Sequence, residues 1–210
     1  MQILIGTTNP AKVKYFERLL EGIDAQCVTL RDLNIIQEPQ ETGTSPLENA
    51  RIKAAFYAQY ADVVLCADSG LYFDSLPLDD PCQPGVHIRT PQGGKRLDDD
   101  GMIAYYAQLV HSLGGKVRAY YMDAMALSIG GQLHDFVATR EEVQDWAFDM
   151  VDVPCVWRRE GWPLDSLSLE KDGRYFLDPD GHRNILPQEK SGYWPRLRRF
   201  LQEKLGERDT

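Results

Sequence analysis

Four stretches in the first third of the chain carry the side chains with most chemistry to offer. Thr7-Thr8-Asn9-Pro10-Ala11-Lys12 joins the apolar run Ile3-Leu4-Ile5-Gly6 to a segment of helical spacing. A helix start presents free N–H groups and partial positive charge, so Thr7, Thr8, Asn9 and the Lys12 ammonium there suit phosphate; the plainer reading is a capped helix start. Glu38 and Glu41 precede Thr42-Gly43-Thr44, where solvated surface acids are the ordinary expectation. Asn49 and Lys53 stand four apart and share one helix face, with Ala50 and Ala54 permitting close packing beside them. Finally, Asp68-Ser69-Gly70 follows the apolar run Val63 to Ala67. An acid placed where a strand ends faces the crevice in which α/β proteins bind ligands, although Asp-Ser-Gly also reads as a turn.

Each stretch alone is weak, but together they describe one site. Lys12, Lys53 and a helix start can hold a polyphosphate. Asp68 with Glu41 can hold a hard divalent cation such as Mg2+, which prefers carboxylate oxygens. Ser69 is a poor nucleophile, because none of the four histidines (His87, His111, His134, His182) lies near it in sequence and no triad pattern supports it.

The elements that must position these residues are legible from spacing. Ile3 to Gly6 reads as a buried strand. Residues 10–21 place Val13, Phe16, Leu19 and Leu20 at helical spacing behind an Asn9 cap and Pro10 at the first helical position. Ser45-Pro46-Leu47-Glu48 is a capping-box pattern that opens a helix to about Tyr60, and Val63 to Ala67 is a second buried strand. Asp98 to Leu113 reads as a helix with acids at its positive end. Val117–Ile129, Gly130-Gly131 and Gln132–Thr139 read as a hairpin, and a last helix runs from about Pro195 to Leu205. Residues 74–97 read as surface loop, and Val151 to Glu189 has no clear period. The order predicts an α/β fold with a mixed, twisted sheet and flanking helices.

Composition narrows the function classes. The 210 residues are 43% hydrophobic and 26% charged, which is the balance of a globular chain. Thirty-two acids against 23 bases give a net charge of −9. That charge disfavours binding of a nucleic-acid polymer through a broad basic face, while leaving room for a local basic pocket. No apolar run is long enough for a membrane span, and Met1 to Ile5 lacks the basic start of a secretion signal. The scattered Cys27, Cys66, Cys82 and Cys155 predict a reduced, cytoplasmic protein. No G-x-G-x-x-G, P-loop, H-E-x-x-H, C-x-x-C or G-x-S-x-G pattern occurs.

The succession T-T-N-P-A-K, E-T-G-T-S-P-L-E-N-A-R-I-K-A, A-D-S-G-L-Y-F-D and Q-P-G-V-H-I-R, from residue 3 to about 89, resembles the inosine triphosphate pyrophosphatase family, also called XTP/dITP diphosphatases. The resemblance implies one pyrophosphatase domain over 1–210, elongated and two-lobed with a central cleft, and a homodimer. It implies Mg2+-dependent hydrolysis of non-standard purine nucleoside triphosphates (ITP, dITP, XTP) to monophosphate and pyrophosphate. Carried over by position, Thr7 to Lys12 would cradle the phosphates and Lys53 would neutralise them. Asp68 would be the catalytic acid and metal partner, Glu41 a metal-associated carboxylate, and Ser69 a substrate contact; Asn49, on the Lys53 face of its helix, is a further candidate for substrate binding.

The chain also departs from the family pattern. Ala67 stands where the family writes a first acid before Asp-Ser-Gly. Gly161-Trp162-Pro163-Leu164-Asp165 replaces a Phe-Gly-Tyr-Asp segment, which makes Trp162 and Asp165 candidates for the base. Lys190 and Arg196 match family positions, while Pro195 replaces a histidine. The expectation is a Trp162 ring on the purine with Arg196 toward the 6-keto oxygen. Two alternatives stand beside this reading: a pyrophosphatase of shifted base preference, and a nucleotide-binding relative without catalysis.

Overall fold

The computed structural model describes residues 1–180 and 192–206. Its elements in chain order are β1 (Gln2–Ile5), α1 (Pro10–Leu19), β2 (Gln26–Thr29), α2 (Pro46–Tyr57), β3 (Val63–Phe73), α3 (Asp99–Ser112), β4 (Lys116–Ile129), β5 (Gln132–Val137), α4 (Arg140–Gln144), β6 (Phe148–Val151), β7 (Ser168–Leu169) and α5 (Trp194–Gly206). The strands hydrogen-bond in the order β2-β1-β3-β4-β6-β7, with β5 on β4. The β1 pairs are parallel, and β4–β5, β4–β6 and β6–β7 are antiparallel, so the sheet is mixed, as expected. Among the described residues no helix is long and apolar enough to cross a membrane.

The chain divides into two compact units, residues 1–69, 122–139 and 193–210, and residues 70–121 and 140–192. β3 and β4 each give a segment to both. In the first unit, Leu4, Val64, Cys66 and Ala126 of the sheet pack against Ala50, Ala54 and Tyr57 of α2, closed by Leu30 and Ile35. The second unit has its own core. There Met102, Ile103, Tyr106 and Val110 of α3 meet Leu71, Phe73, Val117, Ala119, Phe148 and Met150 of the strands. Burying apolar side chains at about 25 cal/mol per Å2 is what orders each unit.

The local signals that predicted elements are visible as contacts. Asn9 Oδ1 accepts the Ala11 N–H at 2.9 Å ahead of Pro10 in the first turn. Ser45 Oγ accepts the Glu48 N–H at 3.3 Å. The Glu48 carboxylate reaches back one residue further than a capping box does, to the Thr44 N–H and hydroxyl at 2.7 and 2.9 Å.

One expectation fails. β3 does not stop at Ala67 but runs on through Asp68, Ser69 and Gly70 to Phe73. The predicted Asp-Ser-Gly turn is therefore continuous strand. β1 is the strand that ends there: it pairs Leu4 with Val64 and Ile5 with Leu65, and Gly6 N–H still reaches the Leu65 carbonyl at 3.0 Å. Asp68 and Ser69 thus lie just past the carboxyl end of the neighbouring strand. Residues 151–180, which show no clear period in the sequence, are now assigned. They carry a 3-10 turn over Pro163–Leu167 and the short β7.

Candidate active site

All the acids, amides and lysines expected in the phosphate and metal region lie in the first unit. Lys53 and Asn49 project from the same face of α2, as their spacing requires, toward Asp68 on β3. Lys53 Nζ donates to Asp68 Oδ1 at 2.7 Å, and Asn49 Nδ2 donates to Asp68 Oδ2 at 3.2 Å. The three side chains are only 9%, 3% and 8% exposed as residues, so this is a buried polar cluster rather than a surface ion pair. Glu41, still half in solvent, places Oε1 3.4 Å from the same Lys53 ammonium.

The amide of Asn49 is oriented from both ends. Its Oδ1 accepts the Gly43 N–H at 2.8 Å, which leaves Nδ2 for Asp68. The loop must pass very close to achieve this. A Cβ on Gly43 would sit 2.6 Å from Asn49 Oδ1 and 2.6 Å from Glu48 Cβ. Gly6 is constrained in the same way, since a Cβ there would lie 2.3 Å from Cys66 Sγ and 2.8 Å from the Tyr57 ring. Both glycines bring backbone against the elements that carry the site.

The two lysines have opposite electrostatics. Burial pulls the Lys53 pKa down, but the Asp68 and Glu41 carboxylates and the hydrogen bond to Asp68 outweigh it, so its pKa stands above the ordinary value. For Lys12 burial dominates and neighbouring Lys53 adds to it. Attraction from Asp68, Asp123 and Glu41 offsets this only partly, and the pKa is lowered. Lys12 is thus a desolvated ammonium in the field of the same cluster, the condition in which an incoming anion gains most.

The remaining expected contacts are distributed as follows. Thr7 Oγ1 accepts the Asn9 N–H at 3.2 Å and Thr8 is exposed, so this loop is a capped helix start lying beside Lys12. Trp162 and Asp165 belong to the second unit. There the buried Asp165 takes Arg159 Nη1 at 3.0 Å, and the Arg159 guanidinium lies 5.4 Å from the Trp162 ring centroid. Arg196 on α5 donates to the Val137 carbonyl at 2.7 Å and stacks on the Phe136 ring at 4.1 Å. Lys190 falls outside the described residues.

One residue escaped the sequence reading. Asp123 on β4 accepts the Ser69 hydroxyl on Oδ1 at 2.5 Å and the Tyr193 hydroxyl on Oδ2 at 2.6 Å. Its only local signal is an acid inside the otherwise apolar run Tyr120-Tyr121-Met122-Asp123-Ala124-Met125, where a charge must find partners. Strand alternation puts Asp68 on the α2 side of β3 and Ser69 on the other side, with Asp123 and Tyr193.

Among the described residues no three or more His, Cys, Asp or Glu side chains cluster as in an all-protein metal cage. Magnesium does not need one, since it binds through one or two carboxylates, waters and substrate phosphates. Asp68 and Glu41 meet on one Lys53 ammonium, and an ionised carboxylate retains acceptor sites beyond the two that Asp68 uses. The residues present fit that mode.

A profile of the Ham1 family matches residues 3–143. Among curated relatives, a dITP/XTP pyrophosphatase of Thermoanaerobacter pseudethanolicus is 35% identical over 60% of this chain and 63% of its own. Another of that name, from Bacillus subtilis, is 32% identical over 62% of this chain and 65% of its own. The chain thus matches a little under two thirds of the length of these relatives. Among solved structures, the Staphylococcus aureus Ham1 protein covers 99% of this chain and 100% of itself, with a TM-score of 0.67 at 18% identity. A Coxiella burnetii HAM1 protein gives 0.66 at 19% identity, over 99% of both chains. The fold likeness extends well past the segment where sequence similarity is detectable.

Proposed function

The chain belongs to the Ham1 family, and from that premise we propose that it is a nucleoside-triphosphate pyrophosphatase. In this reading it hydrolyses non-standard purine nucleoside triphosphates (ITP, dITP, XTP) to the monophosphate and pyrophosphate. The observation that carries the reading is the buried Lys53–Asp68–Asn49 cluster with the desolvated Lys12 ammonium beside it. Burying charge is costly, and a protein keeps such a group where it is used.

The charge count supports a divalent cation as well. Lys12 lies in the field of Asp68, Asp123 and Glu41, and Lys53 in that of Asp68 and Glu41. Two ammoniums do not balance three carboxylates, so a triphosphate needs further positive charge to enter. Asp68 and Glu41 would hold magnesium, which when bound supplies charge neutralisation on the phosphate oxygens. Lys12, at the first turn of α1, binds non-bridging oxygens and draws charge from the phosphorus under attack. Lys53 holds Asp68 in place, and Asn49 fixes its second oxygen. An acceptor site left on Asp68 orients a water toward the α-phosphorus and takes its proton as the bond to pyrophosphate breaks.

Trp162, Asp165 and Arg196 remain the candidates for reading the base, with Arg159 added through its contacts to the first two. A single pyrophosphatase domain and a homodimer belong to the same reading and rest on the motif resemblance, while a cytoplasmic location rests on the scattered cysteines. Pyrophosphate release from ITP, XTP, dITP and the four common dNTPs with magnesium tests it. Turnover confined to the first three is expected. Turnover centred on another base makes this a pyrophosphatase of shifted preference, and binding without turnover makes it a non-catalytic relative.

A further inference from the structure

Asp123 takes no step in the proposed chemistry, yet both of its carboxylate oxygens are engaged at short range. Its two contacts, 2.5 Å to Ser69 Oγ and 2.6 Å to Tyr193 OH, are in the range of charge-assisted O–H···O− bonds. The backbone holds it as firmly: Ala124 pairs with Val137, and the Ala138 N–H donates to the Asp123 carbonyl at 3.0 Å. Tyr193 is 3% exposed, and burial together with Asp123 raises its phenol far above the ordinary value, so it stays a donor. Ser69 is only half-buried and adjoins Asp68 in sequence.

A serine hydroxyl has one hydrogen and two lone pairs. A carboxylate can only accept, so the Ser69 hydrogen is committed to Asp123 and its free lone pairs are all it can offer. Phosphate oxygens are acceptors at neutral pH and gain nothing from such a group. Resting on the pyrophosphatase reading, we propose that Asp123 is a positioning residue: it makes Ser69 an obligate acceptor, which meets an O–H or N–H donor on the nucleoside part of the substrate and not a phosphate. Ser69 then reads that the polyphosphate is attached to a nucleoside, while Lys12 holds the phosphates.

The test is a double-mutant cycle on kcat/KM for ITP with Ser69→Ala, Asp123→Ala and the pair. If Asp123 acts through Ser69, each single variant loses about tenfold, and the pair loses no more than about twice the worse single. A multiplicative loss of about a hundredfold overturns the proposal. Calorimetric binding of inorganic triphosphate with magnesium is the second arm. It has no nucleoside donor, so wild type and Ser69→Ala should bind it alike; tenfold weaker binding by Ser69→Ala would instead make Ser69 a phosphate ligand and overturn the assignment. Tyr193→Phe removes the other donor to Asp123 and should leave the Ser69 coupling in place. If Asp123→Ala does not fold, Asp123→Asn takes its place in the cycle. Should wild type release no pyrophosphate from any triphosphate, the functional reading fails on its own. The cycle then runs on the Kd for ITP with magnesium, where additive effects, or no binding at all, overturn the proposal separately.

Discussion

Replacing the two lysines by methionine should move stability in opposite directions. Lys53 and Asp68 have side chains only 11% exposed each. Lys53→Met therefore leaves the Asp68 carboxylate buried with the Asn49 amide as its remaining side-chain hydrogen bond among the described residues, and with Lys12 as a more distant charge. Breaking a buried pair by removing one partner costs about 3–5 kcal/mol. Glu41, with its side chain 46% exposed, adds little, so the low end of about 3 kcal/mol is the better figure. At about 2–4 °C per kcal/mol for a chain of this size, Lys53→Met should melt about 6–12 °C below wild type. Lys12 is the reverse case, because burial outweighs its attractive partners. Lys12→Met should melt above wild type by an amount on the order of 1 kcal/mol, while abolishing turnover, the usual trade of stability against function.

The pH dependence follows with definite signs. The raised Lys53 pKa means its stabilisation is fully present below the unfolded lysine value, about 10.4, and is lost as pH rises through the higher folded value. The gap between wild type and Lys53→Met should be flat from about pH 7 to 9 and close only above about 10.5. The lowered Lys12 pKa means its cost is full below the depressed folded value and gone above the unfolded one, so the advantage of Lys12→Met should shrink as pH rises. Calorimetric melts across that range check both. A Lys53→Met protein that melts with wild type, or a Lys12→Met protein that melts below it, refutes the electrostatic account.

Other expectations concern single positions. Asp68→Asn keeps the shape but faces an amide NH2 toward Lys53 or Asn49 whichever way it turns; loss of about 2–4 kcal/mol of barrier stabilisation, roughly 30- to 1000-fold in turnover, should show in pyrophosphate release. Gly6→Ala should cost about 1–3 kcal/mol in urea unfolding, because its Cβ meets Cys66 Sγ at 2.3 Å within a closed core. The Cys66 thiol, pushed by burial to about 12, should escape iodoacetamide at pH 8 in native protein and react once unfolded, as read by mass spectrometry. Native labelling of Cys66 at the rate of an exposed thiol would mean that the β1–α2 packing opens.

What the sequence determined by itself was local. Asn9-Pro10 and Ser45-Pro46 start helices because capping and fixed φ act within a few residues. The four-residue spacing of Asn49 and Lys53 puts them on one face whatever surrounds the helix. The hairpin after Val117 appeared as written because Gly130 and Gly131 adopt positive φ at its turn. β2, β6 and β7 were not legible, since two to four residues carry no period and form only when a neighbouring strand offers its hydrogen bonds. The end of β3 was misread for a related reason: Asp-Ser-Gly has the composition of a turn, and only continued strand pairing overrides it.

Tertiary structure alone decided which residues meet Asp68 and Asp123. Asp68 lies just past the end of β1 because that strand stops at Ile5, a property of another strand. Asp123 joins Ser69 across 54 positions of sequence. No pattern of residue types encodes such a meeting, because it depends on the register in which distant strands settle to bury their apolar faces.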